Sequence, residues 1–322
     1  MAISRYKTGL IIKREYLSRI RNRTFLLSTF LLPIVYLLFI FGSALFSPDS
    51  STTPQPQQTD IGSGLNYFIG LACGTLICFT IFIFGAMVMR GVKEEKVNRI
   101  AEIIISSVKP FELMMGKILG IAAVALTQLL LWFILIFFLA TASSLFLSHD
   151  MLQQAQHSGQ SAQAADTLLV KLTAAKQSIA GINYGELIAC FIFYFIGGFL
   201  FYASLFAAVG SAINEDSQDT QSLTLPITVP VFFSFIIMSS NLATPDNTIM
   251  VWASIIPFSS PVVMMARIAV GVPLWQLLLS IASLITGFLL TTWIAAKIYR
   301  TGILMYGKKS SWKEMLKWAF RK

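Results

Sequence analysis

Long apolar stretches constrain this chain more than any other feature of its sequence. A helix that crosses a bilayer needs about 20 consecutive, mostly apolar residues. Six stretches meet this requirement, at residues 24–46, 65–89, 118–147, 184–213, 223–241 and 274–296. Only 12% of the chain is charged, whereas a soluble domain carries about 25%. The sequence therefore predicts an all-α integral membrane protein with six transmembrane helices, which we call spans 1 to 6.

The basic residues lie mainly at three places between these spans. Of the 24 lysines and arginines, 21 fall within residues 1–23, 90–117 and 297–322. Even numbers of spans separate the three segments, so they share one side of the membrane, and basic residues mark the cytoplasmic side. We therefore predict a multi-pass protein of the cell (inner) membrane with both termini in the cytoplasm. Charges beside spans contact lipid headgroups, so the expected partner is the bilayer and not a nucleic acid, despite a net charge of +9.

This pattern divides the chain into three parts. Residues 1–23 are basic, and Ile3, Tyr6 and Leu10 recur at helical spacing; the pattern predicts an amphipathic helix in the membrane interface. Residues 24–300 form the six-span domain, with a cytoplasmic loop at 90–117, an extracellular loop at 148–182 and a broken segment at 248–267. Residues 301–322 form a basic cytoplasmic tail.

The cytoplasmic loop at 90–117 joins spans 2 and 3. Apolar residues recur on one side of it and charges on the other, which predicts a helix from Glu94 to Val108 that Pro110 ends. Glu95 and Arg99 stand four residues apart, a spacing that supports a helix through an ion pair. Such a helix could lie on the membrane or dock on a soluble protein. For docking, the candidate residues are Glu94, Glu95, Arg99, Ile100, Glu102, Ile103 and Ser107.

The segment at 248–267 is apolar, but Pro257 and Pro261 interrupt it. Non-helical backbone at membrane depth is tolerated where protein or a water-filled cavity surrounds it, so we expect a re-entrant segment before span 6; an additional span is the alternative. Charged residues are rare within membranes and often functional. The candidates for translocation or gating are Glu186, Ser259, Ser260 and Arg267. The alternative for the two charged ones is a snorkelling or locally paired side chain.

The sequence offers little that would support catalysis. It contains no GxxxxGK[ST] phosphate-binding loop, and its two histidines lie eight residues apart in a polar loop. We find no metal-ligand spacing and no nucleophile beside a histidine. The chain is therefore not expected to be an enzyme, to bind a cofactor or to hold a metal.

The sequence EEKVNRIAEIIISSVKPFELMMGKILG resembles the first cytoplasmic loop of ABC type-2 exporter permeases. That family combines a Glu-rich turn, a short helix, a Ser-Ser-x-x-Pro turn and a Gly-Lys-x-x-Gly entrance to the next span. The matching positions are Glu94, Glu95, Glu102, Ser106, Ser107, Pro110, Leu113, Gly116, Lys117 and Gly120. Segments near residues 201–226 and 257–280 resemble the NatB-type sodium-extrusion permeases, although the segment between spans 1 and 2 is much shorter than in many relatives.

The resemblance implies the membrane subunit of an ATP-driven exporter of a small solute, with sodium as the candidate of the subgroup. Two ATPase subunits, which would carry ATP and Mg²⁺, would dock on two membrane subunits, expected to be a homodimer. Export of a drug, lipid or peptide is an alternative within this class. Outside it, the chain could be a membrane sensor or assembly factor of the same architecture that transports nothing. The interpretation as a stand-alone secondary transporter is less favoured, because the spans lack the series of buried acidic residues that such transporters use.

Overall fold

Within the residues that the structure describes, every regular element is a helix. The computed structural model describes residues 2–22, 25, 29, 61–105, 108–157, 184–213, 217–241, 244–305 and 311–320. The helices are α1 (Ala2–Ile20), α2 (Ile61–Val97), α3 (Ile100–Ile105), α4 (Pro110–His157), α5 (Tyr184–Ala212), α6 (Ser217–Ser240), α7 (Thr248–Ile255), α8 (Ser260–Ile268), α9 (Leu274–Gly302) and α10 (Trp312–Phe320). The expectation of helical structure is confirmed for this part of the chain.

Five of these helices are long and apolar enough to cross a membrane. The qualifying stretches are Ile69–Val97 in α2, Pro110–Leu135 in α4, Gly185–Ala212 in α5, Thr220–Ser240 in α6 and Leu274–Gly302 in α9. They coincide with predicted spans 2 to 6. Apart from Phe25 and Thr29, predicted span 1 lies outside the described residues, so the number six stays a prediction.

The helices are distributed over two compact units. The larger consists of residues 1–16, 66–123 and 182–322, and the smaller of residues 17–65 and 124–181. Within the larger unit, α5 is the most buried of the spans and packs against α6, α8 and α9. Its small side chains Ala203, Ala207 and Ala208 are buried, as expected where helices in membranes approach closely.

α2 and α5 approach each other closely at Gly210. A Cβ atom at this position would lie 2.6 Å from the carbonyl oxygen of Met89. Because that neighbour is backbone and cannot move aside cheaply, only glycine fits at this crossing. Small residues commonly permit such close approach between helices in membranes.

Large apolar side chains remain exposed along the sides of these helices. Phe232 and Phe233 on α6, and Leu289 and Leu290 on α9, are each more than half exposed. Water would disfavour so much apolar surface, whereas lipid tails solvate it as well as protein does. These faces are therefore the ones that a bilayer would cover.

In the smaller unit, α4 carries a buried amide at Gln128. With this amide turned so that its oxygen faces Trp132, the Nε1–H of Trp132 donates to it at 3.0 Å, and its nitrogen lies 3.0 Å from Thr29 Oγ1. Thr29 also donates to the carbonyl oxygen of Phe25 at 2.7 Å. A polar group within a span needs protein partners because lipid offers none, and Gln128 has them.

The predicted helix from Glu94 to Val108 is wrong as a single element. α2 continues to Val97, and Arg99 then adopts a left-handed conformation with φ of 56°, which ends an α-helix. α3 is only a six-residue helix. Pro110 does not end a helix but begins α4; its missing N–H is harmless in the first turn, where no helical partner exists.

Three other segments are more helical than expected. Residues 148–157, assigned to a loop, continue α4 to His157; their glutamines and alanine are good helix formers, while the rest of that loop lies outside the described residues. Span 5 contains the helix-breaking residues Pro226 and Pro230 but is nevertheless one helix, because transmembrane helices tolerate proline. The basic tail contains α10.

Candidate functional site

The short helix α3 presents two isoleucines outward. The side chain of Ile103 is 75% exposed and that of Ile100 is 41% exposed, whereas Ala101 is completely buried. Only two residues join α3 to α2, and four join it to α4. The turn is held by backbone hydrogen bonds from Asn98 to Glu94 and from Arg99 to Lys96, both 3.0 Å. α3 is thus an apolar surface joined to α2 by a hydrogen-bonded turn.

Four charged residues from α1, α2 and α4 form a cluster. We call Arg14, Glu15, Glu95 and Lys117 the ion cluster. Arg14 Nη2 lies 2.6 Å from Glu95 Oε1 and 3.0 Å from Glu15 Oε1. Lys117 Nζ lies 2.8 Å from Glu95 Oε2 and 3.9 Å from Glu15 Oε1. Two positive and two negative side chains balance one another.

Three members of the ion cluster are buried, so their mutual pairing matters. Lys117 is 1% exposed, and Glu15 and Glu95 are also buried. Lys117 donates a further hydrogen bond to the carbonyl oxygen of Gly91 at 2.8 Å. Although partial burial lowers the pKa of Arg14, the carboxylates of Glu15 and Glu95 raise it by more, so the guanidinium stays charged. Removing one partner would leave another charge buried and uncompensated.

Two glycines in α4 bring α1 close enough to join the ion cluster. A Cβ atom at Gly120 would lie 2.7 Å from Glu15 Cβ, and one at Gly116 would lie 3.0 Å from Ile11 Cγ2. Any larger residue at Gly120 would push α1 away from α4. The Gly-Lys-x-x-Gly pattern therefore has a physical reason in this chain: the glycines admit α1, and Lys117 binds its carboxylate.

Lys96 is a second buried cation at this end of α2. It is 1% exposed, and its Nζ donates to the carbonyl oxygen of Ser211 at 2.7 Å. Ser211 lies in the last turn of α5, where carbonyl groups lack helical partners and attract positive charge. Sequence analysis did not single out Lys96, because nothing in a local pattern connects it to a residue more than a hundred positions away.

The structure separates the predicted docking residues into two sets. Glu94 and Arg99 are exposed, as are Ile100 and Ile103, whereas Glu95 is buried in the ion cluster. Because Arg99 follows the end of α2, the expected helical spacing between Glu95 and Arg99 does not exist. The side chain of Glu102 and the whole of Ser107 lie outside the described residues.

The predicted break at 248–267 is confirmed as a helix, a turn and a second helix. α7 ends at Ile255, the turn contains Pro257, and α8 begins at Ser260. Ser259 is buried and its Oγ donates to the carbonyl oxygen of Ala253 at 2.6 Å. Ser260 is also buried, and its Oγ has no hydrogen-bond partner among the described residues. Whether this hairpin enters the membrane stays a prediction.

Arg267 is buried inside this region and does not reach out to the surface. It is 1% exposed and donates to three neutral oxygens at 2.7–2.8 Å, those of Pro245 (backbone), Ser254 and Gln276. Asp246 lies farther away, at 3.4 Å, on a side chain that is 84% exposed. Arg267 is thus paired locally and does not snorkel to the surface, whereas its role in translocation or gating stays a prediction.

The arginine belongs to a longer buried network. Ser280 donates to the carbonyl oxygen of Ser254 at 2.6 Å, and Tyr194 donates to Ser280 at 2.8 Å. These contacts join α7 and α8 to α5 and α9. Glu186, by contrast, lies on an exposed surface of the first turn of α5. The structure therefore brings Ser259, Ser260 and Arg267 into one hairpin and leaves Glu186 on the outside.

Within the described ranges, no three histidine, cysteine, aspartate or glutamate side chains converge as a metal site. The chemistry that these residues offer is pairing of charges and hydrogen bonding between helices. Such contacts hold helices together while they are formed and allow the helices to separate when they break.

Five apolar spans with lipid-compatible sides define a multi-pass membrane protein. The chain matches the family described as ABC-2 family transporter protein over residues 43–297. It therefore belongs to that family, whose members are components of membrane transport and not catalysts. The coarser resemblance drawn from the cytoplasmic loop is thus confirmed.

Two curated relatives are similar over most of this chain. The uncharacterized protein YhaP of Bacillus subtilis (strain 168) is 30% identical over 239 residues, which cover 74% of this chain and 52% of YhaP. The uncharacterized protein MJ1024 of Methanocaldococcus jannaschii is 25% identical over 249 residues, which cover 77% of this chain and 52% of MJ1024. The chain spans about half the length of these relatives. No solved structure matches it significantly.

The ion cluster yields a stability prediction. Replacing Lys117 with methionine leaves Glu95 and Glu15 short of a buried cation, so we expect unfolding in detergent to become easier by about 3–5 kcal/mol. Lys109→Met, which changes an exposed lysine, is the matched control and should have little effect. Combining Lys117→Met with Glu95→Gln should recover part of the loss. Equal stability of the Lys117 and Lys109 variants would contradict the assigned pairing.

Arg267 and Asp246 allow a second comparison. Arg267→Met should destabilise the protein strongly, because the oxygens of Pro245, Ser254 and Gln276 would each lose the N–H group that donates to them. Asp246→Asn should change the free energy of unfolding by less than about 1 kcal/mol, since an exposed carboxylate at a long distance contributes little. Thermal unfolding of both variants in the same detergent measures the difference. If Asp246→Asn matched the loss in Arg267→Met, the arginine would be held by its ion pair and not by neutral acceptors.

Proposed function

We propose that this chain is the membrane subunit of an ATP-driven exporter and that its ATPase is a separate polypeptide. The observation that carries the proposal is α3: a short helix with exposed Ile100 and Ile103 that connects α2 and α4, two of the helices that the ion cluster joins. In this proposal α3 docks on the ATPase. Family membership supports the transport role, and the resemblance of the loop at 90–117 to ABC type-2 exporter permeases supports an ATPase on a separate polypeptide.

The surroundings of α3 suit a protein partner with both apolar and polar contacts. Next to α3, a depression of about 340 Å³ opens at the end of α2. Its lining consists of Arg90, Lys93, Glu94, Val97 and Asn98. A partner could insert a polar side chain there while it covers the two isoleucines, so Glu94 would act as a docking residue.

Force on α3 would reach the spans directly. Two residues, in a hydrogen-bonded turn, separate α3 from α2, and four residues separate it from α4. Glu95 and Lys117 then connect these two helices to α1. We infer that Glu95 transmits motion from inside the ion cluster and does not itself touch the ATPase.

The complete assembly in this proposal contains two copies of this chain and two ATPase subunits, which carry ATP and Mg²⁺. Both termini of the chain and α3 lie in the cytoplasm, and the spans lie in the cell membrane. At the other end, the buried network around Arg267 would hold the α7–α8 hairpin in place. The hairpin, with Ser259 and Ser260, is the candidate gate.

Docking through α3 predicts a clear effect of charge in its apolar surface. Ile103→Asp should reduce co-purification with the ATPase partner and its stimulated ATP hydrolysis by about tenfold or more, because a residue that anchors the centre of an interface contributes about 2 kcal/mol or more. Leu304→Asp, at another half-exposed apolar residue just after α9, is the control and should retain both. Unchanged binding and hydrolysis in Ile103→Asp would remove the docking role of α3.

For the substrate we propose sodium, on the resemblance to the sodium-extrusion subgroup. Inside-out vesicles that contain this chain and its ATPase should take up sodium when ATP is supplied. The uptake should disappear in Ile103→Asp and persist in Leu304→Asp. ATP hydrolysis that depends on this chain without sodium uptake would redirect the search to a drug, lipid or peptide. Absence of both would favour a membrane sensor or assembly factor.

A further inference from the structure

The C-terminal helix α10 has a buried side and an exposed side of unusual composition. Met315, Trp318 and Ala319 are buried, and α10 packs against α9. Leu316 and Phe320, four residues apart, are 52% and 72% exposed. Lys313 and Lys317, also four residues apart, are exposed on the same side. We call these last four residues the α10 face.

Helical geometry places the four residues of the α10 face together. Residues three or four positions apart lie on one side of a helix, and Lys313, Leu316, Lys317 and Phe320 follow this spacing. The face is therefore a single strip in which two large apolar side chains alternate with two cations. The acid of α10, Glu314, is half-buried and lies at the border between the exposed and the buried side. Water alone would favour the lysines but not the exposed leucine and phenylalanine.

The neighbouring end of α9 shows the composition of a membrane boundary. Trp293 is 51% exposed, and the Lys297 ammonium lies 3.9 Å from the centre of its ring. Arg300 is exposed one turn further along. Exposed tryptophan next to basic residues is typical of the level where lipid tails meet headgroups. α10 folds back against the helix that carries this boundary.

We propose that the α10 face lies on the membrane surface and binds anionic phospholipid headgroups. Leu316 and Phe320 enter the boundary between headgroups and acyl chains, and Lys313 and Lys317 pair with phosphates above them. Short helices of mixed basic and apolar character bind membranes in this way, through buried apolar area and attraction to anionic lipid. The charge of the face and its continuity with the Trp293–Lys297 boundary favour lipid over a protein partner. The proposal is independent of the transport role.

The test measures where two side chains of the α10 face lie in the intact protein. Spin labels are attached at Leu316→Cys and, separately, at Phe320→Cys, after Cys73, Cys78 and Cys190 have been replaced with alanine. The protein is placed in nanodiscs of phosphatidylcholine with or without phosphatidylglycerol. Oxygen, which concentrates in lipid, and a water-soluble nickel complex report the surroundings of each label. A label at the exposed Asn98 serves as the control.

Both labels should collide with oxygen more than with nickel, and phosphatidylglycerol should at least double this preference. Lys313→Gln combined with Lys317→Gln should abolish the effect of phosphatidylglycerol, while the label at Asn98 should stay accessible to nickel throughout. Nickel access at Leu316 and Phe320 in every lipid would overturn the proposal. Shielding from both reagents would also overturn it, because a second protein copy would then cover the face.

A second measurement avoids the cysteine replacements. Amide hydrogen exchange of residues 311–320 in the unmodified chain should slow at least threefold when phosphatidylglycerol is added to the nanodiscs. The doubly glutamine-substituted chain should show no such change. Equal exchange in the two lipid compositions for the unmodified chain would contradict binding of anionic headgroups.

Discussion

The structure depends on one constraint: an apolar chain can bury a charge only beside a partner. Charged and polar groups lose several kcal/mol when they leave water unpaired. At the end of the molecule that carries α3, Lys117 and Glu95 meet this requirement together, and Glu15 and Arg14 complete the pairing. Because these residues come from three helices, the same contacts that neutralise the charges also fix α1, α2 and α4 against one another.

The α7–α8 hairpin meets the same constraint with different chemistry. Arg267 is surrounded mainly by neutral oxygens, from a serine, a glutamine and a backbone carbonyl. Such acceptors satisfy the N–H groups of a guanidinium but do not cancel its charge. The ion cluster is therefore held by electrostatic attraction between helices, whereas the hairpin is held by directional hydrogen bonds.

Sequence analysis predicted the features that depend on composition over a turn or more. The lengths of the apolar stretches predicted spans 2 to 6 where the structure has long apolar helices. Pro257 predicted the break between α7 and α8. Sequence analysis was wrong where the conformation of one residue ends a helix, or where a partner distant in sequence determines whether a side chain is buried. The left-handed Arg99, which ends α2, follows from no periodicity. Glu95 looked like a surface acid because the local pattern does not reveal that Lys117 and Arg14 enclose it.

The tail shows a further reason for such failures. The tail was predicted from its many basic residues alone. The apolar residues Met315, Trp318 and Ala319, which recur at helical spacing, did not enter that prediction, although they are buried where α10 packs against α9. For the Gly-Lys-x-x-Gly pattern the situation was reversed. The family resemblance identified Gly116 and Gly120 without a physical reason. The structure gives the reason: α1 occupies the space that larger side chains at these positions would fill.

The partners of Arg267 also bear on how the chain is assembled during synthesis. Pro245, Ser254 and Gln276 all lie within about 25 residues of the arginine in sequence, so the hairpin can satisfy its cation as soon as this short stretch has emerged. Glu15, Glu95 and Lys117 are spread over a hundred residues, and long-range contacts form later because more chain must first be ordered. During synthesis, Arg267 would therefore find its partners within a short stretch of chain. The charges of Glu15 and Glu95 would be paired with Lys117 only after α4 has been made.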